Sequence, residues 1–206
     1  MKRYDRAYFD KWYRNPRHRI SSAADLRRKV QLVVSLTEFV LERPIRTVLD
    51  VGCGEGAWQR VLARLRPGAA YTGIDRSAYV VERYGRRRNI RLGSFDRLEA
   101  CGLEEPCDLV VCSDVMHYLS RRQLERGLDT LVALVGGVAF LEAYTGADDI
   151  EGDHQGFHRR SASAYRRICW DAGLVPCGMQ CYVPRDHARD MVALEVFPER
   201  GSGKGR

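Results

Sequence analysis

Val48-Leu49-Asp50-Val51-Gly52-Cys53-Gly54-Glu55-Gly56 sets an apolar tetrad, broken only by Asp50, against three glycines at alternate positions. The tetrad has the composition of a short strand buried in a parallel sheet. The glycines turn the chain sharply, and Ala57 to Leu65 follows with apolar residues at helical spacing. Strand, glycine turn and helix make the layout of a nucleotide-type pocket at the carboxyl end of a strand. Glycine suits such a turn because it tolerates positive φ, and because its missing Cβ lets a ligand approach the backbone.

The spacing narrows the ligand. A dinucleotide fingerprint is G-x-G-x-x-G, whereas this chain has Gly52-x-Gly54-x-Gly56. Asp50 sits inside the strand end, where it crowds a pyrophosphate but suits an amino group. A ligand with a cationic ammonium, a carboxylate and an adenosine fits better. With this stretch the sequence resembles the class I S-adenosylmethionine-dependent methyltransferases, and the resemblance covers roughly Arg46 to Glu142. It implies an α/β fold: a doubly wound, mostly parallel seven-stranded sheet, Rossmann-like, with helices on both faces. It also implies S-adenosylmethionine as cofactor, held in part by Asp50, Gly52, Cys53, Gly54 and Gly56.

A chain of 206 residues has room for one α/β domain and is short for two. The expected organisation is a single domain over residues 1–200, with residues 1–20 as an amino-terminal lid or substrate segment and 201–206 as a disordered tail. No apolar run approaches the ~20 residues of a membrane span, so no membrane partner is expected. Met1-Lys2-Arg3-Tyr4-Asp5 lacks the apolar core of a signal peptide. Seven cysteines are an odd number in a chain that needs no staples, and reduced thiols in a cytoplasmic protein are the plain reading. Cys177 and Cys181 form C-x3-C without a second pair, and no metal is expected. Residues 1–46 hold 12 Lys+Arg and 5 Asp+Glu, which accounts for the whole formal net charge of +7. That excess marks either contact with an anionic substrate or RNA, or a solvated helix face.

Tyr4 to Arg19 interleaves basic residues with Tyr4, Tyr8, Phe9, Trp12 and Tyr13. The four-residue spacing predicts a short amphipathic helix stopped by Pro16; it is either a lid over the cofactor or a helix packed for stability. A capped helix follows from Ala24 to Leu41, then a strand from Arg46 to Val51. Ala70 to Asp75 is the second strand, with an acid at its end and a helix from Ala78 to Arg87 behind it. Asp75 is read as a ribose ligand, since a carboxylate accepts from two hydroxyls, or as a helix N-cap. Arg76 adjoins it.

Asn89 to Gly93 is a short third strand. The resemblance implies an acid just after it, holding the adenine amine, but Ser94 stands there and Asp96 comes two later. Backbone groups around Ser94 and Phe95, with the Phe95 ring, are read as the adenine contact. Pro106 to Asp114 is the fourth strand, its apolar run Leu109 to Cys112 central to the sheet and Ser113 and Asp114 at its end, where the resemblance implies a loop that borders cofactor and acceptor. A helix from Arg121 to Val135 ends at Gly136-Gly137, and Val138 to Tyr144 is the fifth strand. A helix over Ser161–Ala172 and strands over Leu174–Val183 and Met191–Phe197 complete the pattern. Strands alternating with helices indicate a parallel sheet.

Methyl transfer from a sulfonium is an in-line displacement in which the protein mainly positions the reactants. A base is needed only where the acceptor loses a proton. His117 is the leading candidate, against a reading in which it packs beside the cofactor or caps a helix. His154 and His158, four apart, face one pocket if their segment is helical. A small-molecule acceptor is favoured. An RNA or protein acceptor, and a non-catalytic cofactor-binding subunit, are the alternatives; nucleic acid is not favoured, and neither the acceptor nor the oligomeric state is read from the sequence.

Overall fold

The computed structural model describes residue 2 and residues 4–15, 22–150 and 152–191. Seven strands form one sheet: β1 (Thr47–Val51), β2 (Ala70–Asp75), β3 (Ile90–Leu92), β4 (Cys107–Ser113), β5 (Val135–Glu142), β6 (Leu174–Gly178) and β7 (Cys181–Pro184). Their order is β3-β2-β1-β4-β5-β7-β6. The first five pair in parallel, and β7 runs antiparallel to both β5 and β6. The helices are α1 (Arg6–Phe9), α2 (Ala23–Leu41), α3 (Ala57–Leu65), α4 (Ala78–Arg88), α5 (Arg121–Ala133) and α6 (Ala162–Asp171).

Alternation along the strands divides the core in two. Leu49, Val51, Val110, Cys112, Ala139 and Leu141 bury one face under Leu124, Leu128 and Leu131 of α5 and Ile168 of α6. Val48, Leu109, Val111, Val138 and Phe140 bury the other under Val30, Val33 and Val34 of α2 and Trp58 and Leu62 of α3. A strand buried on both faces needs a nearly continuous apolar run, which is why β1 and β4 stand out in the sequence. Their start is pinned by Asp108, which accepts from both Arg43 Nη atoms at 2.9 and 2.7 Å and from the Arg46 N–H at 2.6 Å. The Arg43 guanidinium holds the Asp108 carboxyl below its usual range.

Two expectations are corrected. Gly136 and Gly137 lie inside β5 instead of ending α5. The helix already closes with the Leu134 N–H on the Leu131 carbonyl at 2.9 Å. A Cβ on Gly137 would stand 2.5 Å from the Asp108 carbonyl oxygen, so glycine permits the close approach of β5 to β4. Leu174–Val183 is not one strand but the β6–β7 hairpin, reversed at Met179 and Gln180, both at positive φ. In the strand expected over Met191–Phe197, residues 192–197 lie outside the described residues, as does the tail 201–206.

The one acid inside β1 is fully buried. Asp50 is 1% exposed and accepts from the Tyr71 hydroxyl at 2.7 Å. Burial pushes its carboxyl up to about 7; the Tyr71 bond opposes this and Asp75 adds to it. The ordinary aspartate value is about 3.9. Between roughly pH 4 and 7 the folded chain therefore keeps a proton that the unfolded chain has lost, so stability falls as pH rises through that window and levels off above it. Asp50→Asn carries no such titration and keeps an acceptor for Tyr71. Denaturant unfolding at stepped pH is expected to show the variant gaining on the parent by a few kcal/mol, on the order of 1.4 per pKa unit, from pH 4 to 7. Parallel pH profiles would refute the assignment.

Candidate active site

The chain runs outward from β1 to β2 and β3, then returns to place β4 on the other side of β1. The carboxyl ends of β1 and β4 thus flank the point where strand order reverses, the place where open α/β sheets bind ligands. A cavity of about 90 Å³ opens there. Gly52, Gly54, Asp75 and Arg76 line it from the β1–β2 side, and Ser113, Asp114, Val115, Tyr118 and Leu119 from the β4 side. The two sides nearly touch: a Cβ on Gly52 would lie 2.3 Å from Val115 Cγ2. All three glycines of the turn have positive φ, at 75°, 52° and 71°, the conformation that glycine adopts at least cost.

Asp75 ties this turn to the next helix. Its Oδ2 accepts from the Gly54 N–H at 2.7 Å and its Oδ1 from the Ser77 N–H at 2.8 Å. Ser77 in turn caps α4 by accepting from the Val80 N–H. The carboxylate is therefore a backbone tie at the start of α4 as well as a cavity wall. Burial raises its pKa, and the two N–H bonds oppose the shift. Each oxygen has a further lone pair, so capacity for ligand hydroxyls remains.

Across the cavity, Asp114 has φ of 63°, uncommon for a non-glycine residue. Its Oδ1 lies 3.1 Å from His117 Nε2. His117 is 1% exposed; its Nδ1 accepts from the Tyr144 N–H at 3.4 Å, and its ring packs on Tyr118, Tyr144 and Phe157. Both ring nitrogens are engaged and neither reaches the cavity. His117 lies beside Asp114 and outside the cavity lining, the placement that the packing alternative describes. His154 and His158 are exposed and their segment is not helical. His158 meets the site only through its N–H, which donates to the His117 carbonyl at 2.8 Å.

The cavity is roofed by the amino-terminal segment. Tyr4, Tyr8, Phe9 and Tyr13 line it; Tyr4 precedes α1, Tyr8 and Phe9 lie on it, and Tyr13 lies on the π-helical turn Asp10–Arg14. Phe9 is buried and stacks on Tyr79, with centroids 5.8 Å apart. The roof is fastened at three places: the Ser77 hydroxyl to the Tyr4 carbonyl at 2.5 Å, Arg14 to Glu55, and Lys2 to Asp153 at 2.7 Å.

Five of the expected cofactor contacts do not line the cavity. Asp50 lies in the sheet on Tyr71. Cys53 packs with Phe9, Val80, Tyr84 and Ile90, and burial pushes its thiol up. Gly56 is the N-cap of α3. Ser94 begins the 3₁₀ turn Phe95–Cys101. Phe95 turns into the core, where a Cβ on Gly127 of α5 would stand 2.2 Å from its Cδ1, so its ring is not free to meet an adenine. Asp96 accepts from Gln123 Nε2 at 3.3 Å. The sequence reading missed Val115, Tyr118 and Leu119. A loop after a buried strand at the switch point was the signal, but helical or strand periodicity does not say which loop side chains turn inward. Among the described residues no three His, Cys, Asp or Glu side chains converge as metal ligands, and no helix is long and apolar enough to cross a membrane.

A methyltransferase domain model matches residues 13–177. No curated protein matches the chain by sequence. Among solved structures, DesVI from Streptomyces venezuelae superposes with a TM-score of 0.59 at 16% identity, over 79% of this chain and 91% of that one. A SAM dependent methyltransferase from Archaeoglobus fulgidus gives 0.60 at 13% identity, over 82% and 73%. SAM-bound CalS10, an amino pentose methyltransferase from Micromonospora echinaspora, gives 0.57 at 17% identity, over 81% and 92%. At these identities the likeness is one of fold. The family match covers most of the chain and the strand order agrees with it, so the chain belongs to the methyltransferase domain family and has its class I fold.

Proposed function

We propose that the chain transfers a methyl group from S-adenosylmethionine to a small-molecule acceptor by in-line displacement. The observation that carries this reading is the cavity in which Gly52, Gly54 and Asp75 meet Ser113 and Asp114 across the switch point. When bound, the cofactor supplies an electrophilic methyl on its own leaving group. The chain's residues have to bind, orient and exclude water. Gly52 and Gly54 present backbone without side chains, Asp75 offers lone pairs to two ribose hydroxyls, and Arg76 offers a cation to a carboxylate. Backbone groups at Ser94 and Phe95 remain the proposed adenine contact. The small acceptor is supported by the aromatic roof, which narrows the cavity. A cytoplasmic setting is supported by seven cysteines that form no disulfide.

The amino-terminal segment is proposed as a lid. Ligand pockets for molecules of cofactor size run to about 300–1,000 Å³, and the partly open cavity under the roof holds about 90 Å³. The roof therefore has to lift for entry. Its polar fastenings lie at its edges, while Phe9 packs beneath it against Cys53, Val80, Tyr84 and Ile90.

A nucleic-acid acceptor is the second reading. It is favoured by the face of α3 and α4, where Arg60, Arg64, Arg86 and Arg87 are exposed and, among the described residues, make no ion pair with a carboxylate. RNA binding that weakens linearly with the logarithm of salt would support it; salt-independent or absent binding would remove it.

Calorimetry is expected to show S-adenosylmethionine and its demethylated product binding, with NAD far weaker. Asp75→Ala should lower cofactor affinity by about tenfold or more, since bonds to a charged group are worth about 1.5–3 kcal/mol. The same change should lower stability by about 1–3 kcal/mol, because the Gly54 N–H loses its partner. Stability that falls with unchanged affinity would leave Asp75 as a cap alone. Equal or tighter NAD binding would sink the cofactor reading.

Deleting residues 1–19 is expected to leave a folded domain, because the sheet and α2 to α6 lie downstream. Cofactor affinity should fall and turnover should be lost, since closing a site completes it and excludes water. Unchanged affinity and turnover in the truncated chain would show that the segment is not a lid. An unfolded truncation would make it a packing element.

A further inference from the structure

The Lys2 ammonium lies 3.9 Å from the Tyr118 ring centroid, 5.3 Å from that of Tyr4 and 5.4 Å from that of Tyr8. Its fourth neighbour is the Asp153 carboxylate at 2.7 Å, and the Gln155 carbonyl lies at 3.4 Å. The Lys2 and Asp153 side chains are only 12% and 13% exposed. A lysine near a chain end ordinarily keeps its ammonium in water; this one is drawn into a box of three rings and one acid. All three rings also line the cavity at the switch point. Aromatic faces with a carboxylate are the chemistry that holds organic ammonium groups.

We infer that the box of Tyr4, Tyr8, Tyr118 and Asp153 is an organic-ammonium site, and that Lys2 fills in the free chain the place taken by the amine of the acceptor. The box is built from two distant parts of the chain. Tyr118 follows β4 and donates its hydroxyl to the Asp153 carbonyl at 2.7 Å, which fixes ring and acid together. Tyr4 and Tyr8 meet edge to face with centroids 4.9 Å apart. Burial raises the pKa of all three hydroxyls, and both Asp114 and Asp153 push them further in the same direction. The rings are thus neutral and the potential around them is negative. The opposing charge is Arg76, whose guanidinium lies 5.3 Å from the Tyr4 ring. Such a box selects alkylammonium over a carboxylate, a phosphate or an uncharged hydroxyl.

That the box holds the acceptor rests on the methyl-transfer reading; that it binds ammonium does not. In the transfer, the acceptor nitrogen first gives one proton to water. Its lone pair then forms the N–C bond as the C–S bond breaks. The bonding pair stays on sulfur, which becomes a neutral sulfide, and the nitrogen becomes a methylated ammonium. Cation and product charge balance, and the product is again a species that the rings attract.

The test uses the full chain without cofactor, and tetramethylammonium chloride as probe against tert-butanol as an uncharged molecule of similar bulk. Lys2→Met should bind tetramethylammonium about tenfold or more tightly than the parent, because a tethered occupant competes at high effective concentration. Adding Tyr118→Leu or Asp153→Asn should remove the gain. A variant that binds the probe no better than the parent, or no better than tert-butanol, would overturn the site. A second measurement covers the case in which the variant loosens the segment. The parent has four lysines, which can be dimethylated with 13C-formaldehyde. The Lys2 signal, identified by its absence in the variant, should sit upfield from ring currents and move to the free position as tetramethylammonium is added. A Lys2 signal at the free position from the start, or one that the probe never moves, would overturn the inference. Failure of S-adenosylmethionine to bind in calorimetry would sink the methyl-transfer reading and leave the titration unaffected.

Discussion

The carboxylate of Asp75 is the tie on which the site depends. It stands at the end of β2 and reaches back to the Gly54 N–H and forward to the Ser77 N–H. One buried charge therefore fixes the shape of the glycine turn after β1 and the start of α4 together. A carboxylate accepts several hydrogen bonds and donates none, so no neutral side chain serves both backbone groups and still offers acceptors to a ligand. The desolvation cost shows as a raised pKa. The folded chain accepts that cost because the N–H groups it satisfies are themselves buried beside the cavity.

The opposite wall is held by a different device. Asp114 follows β4 at positive φ, a conformation that Asp tolerates better than most residues. The buried His117 ring lies beside its carboxylate, and the ring is fixed by the Tyr144 N–H and three aromatic neighbours. The loop after β5 returns to close the same knot, with the His158 N–H on the His117 carbonyl and the Gly146 N–H on the Arg160 carbonyl. Behind Ser113, the Glu142 carboxylate accepts from Ser113 and from Lys29 of α2 at 2.5 Å. The ends of β4 and β5 are thus rigid where the glycine side is formed by backbone.

The sheet was largely legible and the site only partly so. Buried parallel strands announce themselves as apolar runs, and Val48–Val51 and Leu109–Cys112 are such runs. Gly136-Gly137 misled because glycine marks both a helix stop and a close strand approach; only the carbonyl of Asp108 decides between them. The β6–β7 reversal carried a weak signal, since Met179 and Gln180 are not turn residues by type. At the site, position relative to a strand end identified Gly52, Gly54, Asp75, Ser113 and Asp114. It did not give direction. Asp50, Cys53 and Phe95 are near the same ends and turn into the core, and His117 has the chemistry of a base but lies outside the cavity lining. Which way a loop side chain points is settled by packing across elements far apart in sequence, and spacing along one element does not encode that.

The amino-terminal segment shows the same limit from the other side. Its basic and aromatic composition is readable, and the charge excess of residues 1–46 is a property of the sequence alone. What the structure adds is that the aromatics face inward as a roof. The cations near it are mostly spent, Lys2 on Asp153 and Arg14 on Asp10 and Glu55. Charge neutralised within the fold is not available to steer a polyanion. Among the described residues, exposed arginines without a carboxylate partner lie elsewhere, on α3 and α4 and also at Arg27 of α2, Arg122 of α5 and Arg166 and Arg167 of α6. Composition placed the basic surface at one end of the chain; pairing within the fold leaves the cavity side of the roof an aromatic surface over two carboxylates. A cavity of that character favours a cation, and the cofactor's own sulfonium and ammonium are cations.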